Sequence, residues 1–415
     1  MARFNSRFVL ASSRALVPFL VLTLLAACGG AAATTAPGTS APATAASAAT
    51  ARPAGTTVAA TTGAPAAAAT TVSMAAASPA AAGSAAAGMA AGGAMSAGMP
   101  MGQGACTPEA ANKMRPTGKT RLVIGTGGTG GVFFPYGGGL ARVITAKLPN
   151  TEVTAEVTGG SVDNLNLIRD NTDYIGMTTT DSALDAATGQ SVYKDKGPVA
   201  ACTIAVLYQS FIHVVALDGT GINTVADLKG KRVSVGSPGS STEIAAERIM
   251  EAAGLSSRTD IKRDTLSVAE SAGAMKDKKI DAFFWIGGLP TAAVTDLVKT
   301  PGIKVKFLPT AQYVKPMSDK YGPVYASFSL PKATYDGIAE DVPGIGIGNL
   351  LVVNAKMNEQ LVYDLLKTLF DNQTDVQGIH PEAKTFNLMN ATVGSSLPFH
   401  PGATRFYTEK GALKR

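Results

Sequence analysis

Three glycines, Gly125, Gly127 and Gly130, close the short apolar run of Leu122-Val-Ile-Gly-Thr-Gly-Gly-Thr-Gly-Gly131. Their spacing is G-x-G-x-x-G, with which a strand-to-helix turn lays backbone N–H groups against the pyrophosphate of a dinucleotide. A turn of this kind can hold other small anions too, because the unpaired amides at a helix N-terminus favour negative charge whatever carries it. Sequence detail separates the two uses. In a dinucleotide turn the third glycine lies within the first turn of the helix, whereas here Gly130 is followed by Gly-Val-Phe-Phe and Pro135 marks a later helix start. No acidic residue closes the second strand, since Glu156 lies inside a run that ends Val157-Thr158. The loop reads as a longer cradle, with Phe133 and Tyr136 as walls for a small ligand.

Catalytic chemistry finds little support. His213, His380 and His400 are scattered and fall in no metal-ligand spacing, and neither G-x-S-x-G nor H-E-x-x-H occurs. The expectation is a chain that is not an enzyme, with no catalytic residue, no metal and no cofactor. His400, beside Pro401 and Gly402, reads as structural.

The N-terminus fixes the compartment in which any such cradle works. Arg3, Arg7 and Arg14 precede an uncharged apolar run from Ala15 to Ala27, too short to span a bilayer and shaped like a secretory signal. It ends in Leu25-Ala26-Ala27-Cys28, which is similar to the lipobox after which bacteria lipidate the cysteine and cleave before it. Cys28 is therefore expected to be the lipid-anchored first residue of a mature protein outside the cytoplasm. No NAD or ATP is supplied there, which argues against the nucleotide reading. The leader carries three arginines, so its removal lowers the net charge from +6 to +3. Charges of both signs are interspersed after residue 110, without the basic stripe that nucleic-acid binding needs. Cys106 and Cys202 are left either to pair as a disulfide in an oxidising compartment or to stand as separate thiols, Cys202 as a small hydrophobe in a strand.

From Gly29 to about Gly104 the chain is almost entirely Ala, Thr, Gly, Pro, Ser and Met, with Val58, Val72 and Gln103 besides and Arg52 as its only charge. Such a tract has no aromatic and too few branched apolar side chains to offset the entropy of folding. It is expected to act as a tether, and a coil of roughly 75 residues spans about 45 to 50 Å. The rest alternates strand-like runs (Leu122-Ile124, Glu152-Val157, Tyr174-Met177, Ile212-Ala216, Arg232-Val235, Asp281-Ile286) with stretches of helical period, which predicts an α/β fold with a mainly parallel sheet. The strand ends share a composition: Thr158-Gly-Gly-Ser161, Thr178-Thr-Thr-Asp-Ser182, Gly236-Ser-Pro-Gly-Ser-Ser-Thr-Glu243 and Gly287-Gly-Leu-Pro290 are small and polar, like the opening loop. One such loop alone is tight-turn and capping chemistry, and Ser240 with Glu243 is a ready capping box. Repetition at several strand ends predicts an anion receptor built from backbone.

Five stretches in order carry a resemblance to a known family: Ile124-Gly-Thr-Gly-Gly-Thr-Gly-Gly-Val-Phe-Phe-Pro135, Thr158-Gly-Gly-Ser-Val-Asp-Asn-Leu165, Val235-Gly-Ser-Pro-Gly-Ser-Ser-Thr-Glu243, Asp281-Ala-Phe-Phe284 with Gly288-Leu-Pro290, and Leu397-Pro-Phe-His-Pro-Gly-Ala403. Over residues 119 to 415 the chain resembles the TAXI solute-binding subunits of TRAP (tripartite ATP-independent periplasmic) transporters. The resemblance implies a two-lobed, type II-like periplasmic-binding-protein clamshell with hinge strands, working as a monomer. It would capture a dicarboxylate or an amino acid, such as glutamate or 2-oxoglutarate, and deliver it to an ion-gradient-driven TRAP permease. The alternative is a ligand-sensing receptor whose partner is a membrane signalling protein. The expected organisation is a signal peptide over 1–27, a tether over 28–117, lobe I over 118–213 and 345–415, and lobe II over 216–309. Residues 310–344 stay unassigned, and the apolar run Ile345 to Asn354 is the expected return strand at the hinge.

Ligand contacts are expected from Gly128, Thr129, Phe133, Tyr136, Ser161, Asn164, Ser240, Ser241, Thr242 and Trp285. The glycine, serine and threonine positions would donate to carboxylate oxygens, and Phe133, Tyr136 and Trp285 would shape the apolar part. Trp285 packs either there or in the core beside Phe283 and Phe284. Asp181 reads as a helix cap, with contact to a ligand amine as the other option, and Arg142 and Arg169 as solvated helix residues. Where the family often has Gly-Ser-Gly-Thr-Glu, this chain has Gly239-Ser-Ser-Thr-Glu243, so Ser241 adds a side chain where a ligand would approach the backbone.

Overall fold

A computed structural model describes residues 105–113 and 118–413. The expectations for the leader, for Cys28 and for the tether up to residue 104 lie outside the described residues. The chain first lays down β1 (Thr120–Gly125), α1 (Phe133–Lys147), β2 (Thr151–Glu156), α2 (Ser161–Asp170), β3 (Tyr174–Thr179) and α3 (Thr180–Thr188). Parallel pairing of β1 with β2 and β3 gives lobe I its sheet. Leu122 and Ile124 alternate into the core of β1 at 2% and 0% exposure, the period-2 burial that makes a strand of this segment.

The 17 residues of β4 (Ala201–Leu217) then run on, a length of about 55 Å. Beyond them come β5 (Arg232–Ser234), α4 (Ser241–Ala252), β6 (Lys262–Asp264), α5 (Val268–Lys276), β7 (Ala282–Gly287), α6 (Ala292–Val298), β8 (Val305–Phe307), α7 (Val314–Tyr321) and β9 (Tyr325–Leu330). Strand β5 pairs in parallel with β6 and β7, the counterpart of the lobe I arrangement. The return strand β10 (Val342–Asn354) leads to α8 (Glu359–Asp371), α9 (Gln373–Gln377) and α10 (Pro401–Glu409).

The strand order is β2-β1-β3-β10-β4-β7-β5-β6, with β8 on β4 and β9 on β10. Its two ends are parallel but its middle is not, because β3, β10, β4 and β7 pair antiparallel. The mainly parallel sheet expected from the alternating pattern is thus corrected to a mixed one. The reason is that β4 and β10 join the lobes, and a strand that leaves one lobe must come back in the opposite direction. Ile212-Ala216 was legible only as the second half of β4, since nothing in a doubly buried apolar run marks where the lobes change. The pairing of β10 with β4 slips in register between Gly348 and Leu350 and again between Leu351 and Val352, where the strands cross from lobe to lobe.

Each lobe buries both faces of its sheet. In lobe I, Leu140 and Ile144 of α1 and Leu361, Leu365 and Leu366 of α8 pack on one face, and Leu165, Ile168 and Ala183 of α2 and α3 on the other. In lobe II, Ala246, Ile249 and Met250 of α4 face Val268, Ala272 and Met275 of α5 across the sheet. Met317 and Tyr325, from the segment left unassigned in the sequence, pack into the first of these two lobe II clusters, and Leu330 and Tyr335 into the second. Cys106 and Cys202 form a disulfide across 96 residues of chain, joining the segment before β1 to the start of β4. A loop of that length is worth about 4.7 kcal/mol in the chain-entropy account.

Three local expectations change. Helix α1 begins at Phe133, two residues before Pro135, which sits inside the first turn, where a missing N–H costs no helical bond. Only half of the capping box at Ser240 forms: its hydroxyl accepts from Glu243 N, while the Glu243 carboxylate turns to Arg263 at 2.5 Å. Arg169 is not a solvated residue, since its guanidinium donates to the carbonyls of Lys196, Gly197 and Pro198 and closes the turn before β4. Arg142 is exposed as expected.

Candidate functional site

The carboxyl ends of the parallel strands face one another across the seam between the lobes. There they enclose a cavity with about 50 Å³ of water-accessible space. At 10 to 15 Å³ per water that is about four water positions, or ~120 Å³ of liquid, room for a small organic acid and too little for a sugar chain or a peptide.

The placement of the helices explains what surrounds this space. Val132, Gly160, Thr179, Ser240 and Ser267 are the N-cap residues of α1, α2, α3, α4 and α5, and all five line the cavity. Three of these helices belong to lobe I and two to lobe II. Each carries a partial positive charge of about one half at that end, from amides with no partner inside the helix. The N-cap residues of α1, α2 and α3 make no side-chain capping hydrogen bond. Gly239, from the loop before α4, reaches over instead, and its carbonyl accepts from Val162 N and Asp163 N of α2 at 3.0 and 3.2 Å. Among the described residues that line the cavity there is no Lys, Arg, His, Asp or Glu. The donors its lining offers are therefore backbone N–H groups at the helix ends and the hydroxyls of Ser161, Ser241 and Thr242.

Glycines let the lobes approach to backbone distance. A Cβ on Gly159 would stand 2.3 Å from the Pro238 carbonyl oxygen, and one on Gly131 2.7 Å from the Trp285 ring. Trp285 lies across the opening glycine loop, its indole N–H donating to the Thr291 hydroxyl at 2.9 Å. Tyr335 accepts from Thr291 N at 2.9 Å and stands 3.1 Å from His213 Nε2, so His213 sits at the back of the Trp285 wall. Burial holds the His213 imidazole at about 4, and it is neutral near pH 7.

Of the expected contacts, Gly128, Phe133, Ser161, Ser240, Ser241, Thr242 and Trp285 line the cavity. Three others lie elsewhere. Thr129 points to solvent at the tip of its loop. Tyr136 is fully buried in the lobe I core, stacked on Tyr208 with centroids 5.7 Å apart. Asn164 is spent on the fold: its amide donates to the Thr126 and Met177 carbonyls, both at 2.7 Å, and ties β1 to β3. Asp181 accepts from Thr179 Oγ1 and from Ser182 N at 2.6 Å, in the capping role. His400 accepts from Gly402 N at the start of α10, a structural place.

Sequence reading missed Thr179, Tyr208, Ser267 and Asn349. Ser267 carried a signal, since Ser267 and Glu270 are a complete capping box of the kind noticed at Ser240. Asn349, a lone amide inside an apolar strand, carried another.

A second group of residues closes the seam outside the cavity. Arg248 of α4 pairs with Asp185 of α3 at 2.5 Å and donates to the Tyr325 hydroxyl at 2.8 Å, and that hydroxyl donates to Asp181 at 3.0 Å. Burial pushes the Asp185 carboxyl up to about 6 against the pull of Arg248. On the other flank Glu382 accepts from Leu289 N of lobe II, and burial raises its carboxyl to about 7.

Solved structures with likenesses to this chain include the periplasmic aliphatic sulphonate binding protein SsuA from Escherichia coli, at 16% identity and a TM-score of 0.37 over 70% of this chain and 83% of that one. The periplasmic binding protein BugD follows at 15% and 0.44, over 72% and 95%. An ancestral arginine-binding protein bound to arginine stands at 16% and 0.38, over 65% and 100%. At these values the likenesses say nothing of what this chain binds. The match to a family model is of another kind, running unbroken from the opening glycine loop through both lobes to the end of α10: over residues 124–411 the chain fits the NMT1-like family, and it belongs to that family.

Proposed function

We propose that this chain is an extracytoplasmic solute-binding receptor, lipid-anchored through Cys28, that captures a small organic anion between its lobes and delivers it to an ion-gradient-driven TRAP permease. The ligand class is a dicarboxylate or an amino acid, such as glutamate or 2-oxoglutarate, as the TAXI resemblance implies. Gly128, Phe133, Ser161, Ser240, Ser241, Thr242 and Trp285 are the proposed contacts. The observation that carries this reading is the convergence of five helix N-termini from two lobes on a cavity without a charged side chain. Fixed amide donors complement a carboxylate without any rearrangement of the protein. The same composition speaks for binding over turnover. A serine or threonine hydroxyl attacks only when a base takes its proton, and no such base lines the cavity among the described residues.

The test is a thermal shift of the full chain against a panel of small carboxylates. A ligand at a hundred times its Kd stabilises the native state by about 2.7 kcal/mol, a rise of roughly 5 °C for a protein of this size. One or two acids should give that rise and remain chemically unchanged afterwards. If no carboxylate on the panel moves the transition, the anion-receptor reading fails.

A further inference from the structure

Asn349 stands in the wall of the cavity on β10, where pairing with β4 slips by a residue, and it is fully buried. Its amide nitrogen donates to the Tyr208 carbonyl at 3.1 Å and to the Ser210 hydroxyl at 2.8 Å. A backbone carbonyl only accepts, so the nitrogen must face Tyr208, and the orientation of the amide is fixed. Its other atom, Oδ1, is buried and has no hydrogen-bond partner. A buried acceptor left unsatisfied is costly, and buried polar side chains are nearly always paired.

This orphan oxygen is opposite in kind to its surroundings. The helix ends at the cavity offer N–H donors, which an anion satisfies. A ligand that is only an anion would leave Asn349 Oδ1 as it is. A ligand with a donor beside its carboxylate would satisfy both.

We infer that Asn349 is a specificity-determining residue whose Oδ1 accepts from an ammonium or hydroxyl group on the bound carboxylate, so that the site selects amino or hydroxy acids over plain ones. The inference rests on the anion-receptor reading and narrows it.

The experiment titrates the full chain with matched acids of three lengths: alanine against propionate, aspartate against succinate, glutamate against glutarate. Trp285, the sole tryptophan, lines the cavity, so its fluorescence reports occupancy. For the length that fits best, the amino acid should bind at least tenfold more tightly than its unsubstituted partner, the usual effect of denying a buried group its hydrogen bond. In Asn349→Leu that ratio should fall to within about twofold, whereas a merely structural role would weaken both acids alike and keep the ratio. Equal or tighter binding of the unsubstituted acid by the natural chain overturns the inference alone, as does a ratio that survives in a folded variant. Should the variant not fold, the ratio in the natural chain decides. Binding of neither member at any length overturns the anion-receptor reading and this inference with it.

Discussion

Two places on the same seam solve opposite problems. Among the described residues no Lys, Arg, His, Asp or Glu lines the cavity, whereas nearby on the seam Arg248, Asp185 and Asp181 keep 6%, 7% and 0% of their side chains exposed. On the proposed reading the charge in the cavity arrives with the ligand, and the protein supplies dipoles fixed by the folding of each helix. At the flank the charged groups all belong to the protein, the cation from one lobe and the two acids from the other, and Arg248 also lies over the Tyr321 ring at 4.1 Å. A buried ion pair repays its desolvation only with good geometry and further hydrogen bonds, and here both are present. The contrast suggests a division of labour: dipoles recognise, and ions hold the closed form.

Breaking the ionic side should give the largest effect. Arg248→Met leaves Asp185 buried without its partner, which in the closed form costs about 3 kcal/mol or more. Both acids are solvated once the lobes part, so the loss should appear as a rise in ligand Kd of over a hundredfold, with little change in the denaturant unfolding of the empty chain. A titration that finds the affinity unchanged removes the flank from the closing mechanism. The steric side comes next. Gly159→Ala sets a methyl group 2.3 Å from a backbone oxygen of the other lobe, and backbone cannot swing aside. Overpacking of this kind costs about 1–3 kcal/mol, again to be read in ligand affinity more than in unfolding. If the variant binds normally, the lobes do not meet at Pro238 when ligand is held.

The two places were unequally legible in the sequence. Loops such as Gly125-Gly131 and Gly236-Glu243 announce themselves, because small polar residues between a strand and a helix have few other uses, and both loops line the cavity. The fold was readable for the same reason, through the alternation of strand and helix. What stayed hidden depends on three-dimensional neighbours. Arg248 looks like any exposed helix arginine until α3 is seen beside α4, and Asp185 like an ordinary helix acid. Tyr136 and Asn164 lie off the cavity lining, one stacked on Tyr208 and the other bridging two strands, and spacing along the chain shows neither contact. The antiparallel middle of the sheet was equally silent, since β4 and β10 are mostly apolar and carry no mark of direction.

The smallest effect sharpens the comparison through pH. Among the described residues, every carboxyl and histidine with a shifted titration lies outside the cavity lining, so proton binding between pH 5 and pH 8 should act on stability and leave the ligand contacts alone. Glu382 moves from 4.5 to about 7 and Asp185 from 3.8 to about 6, both raised by burial. A raised carboxyl binds its proton more tightly in the folded protein. Its contribution is therefore full at low pH and is lost as pH rises, through about 6 for Asp185 and about 7 for Glu382. Histidines act in the other direction: burial lowers His213 and His400 from 6.5 to about 4 and also lowers His380, so these contributions disappear as pH falls below 6.5. Stability of the closed, ligand-bound chain should peak near pH 6.5, fall by roughly 1 kcal/mol per pH unit up to about pH 7, where the two states differ by one proton, and level off above it. Melting curves from pH 5 to pH 8 test this, and Glu382→Gln, whose amide oxygen still accepts from Leu289 N, should flatten the alkaline limb while the acid limb persists. An alkaline limb of the same slope in that variant would move the effect away from Glu382, and a profile flat on both sides would break the division between a titrating flank and a silent cavity.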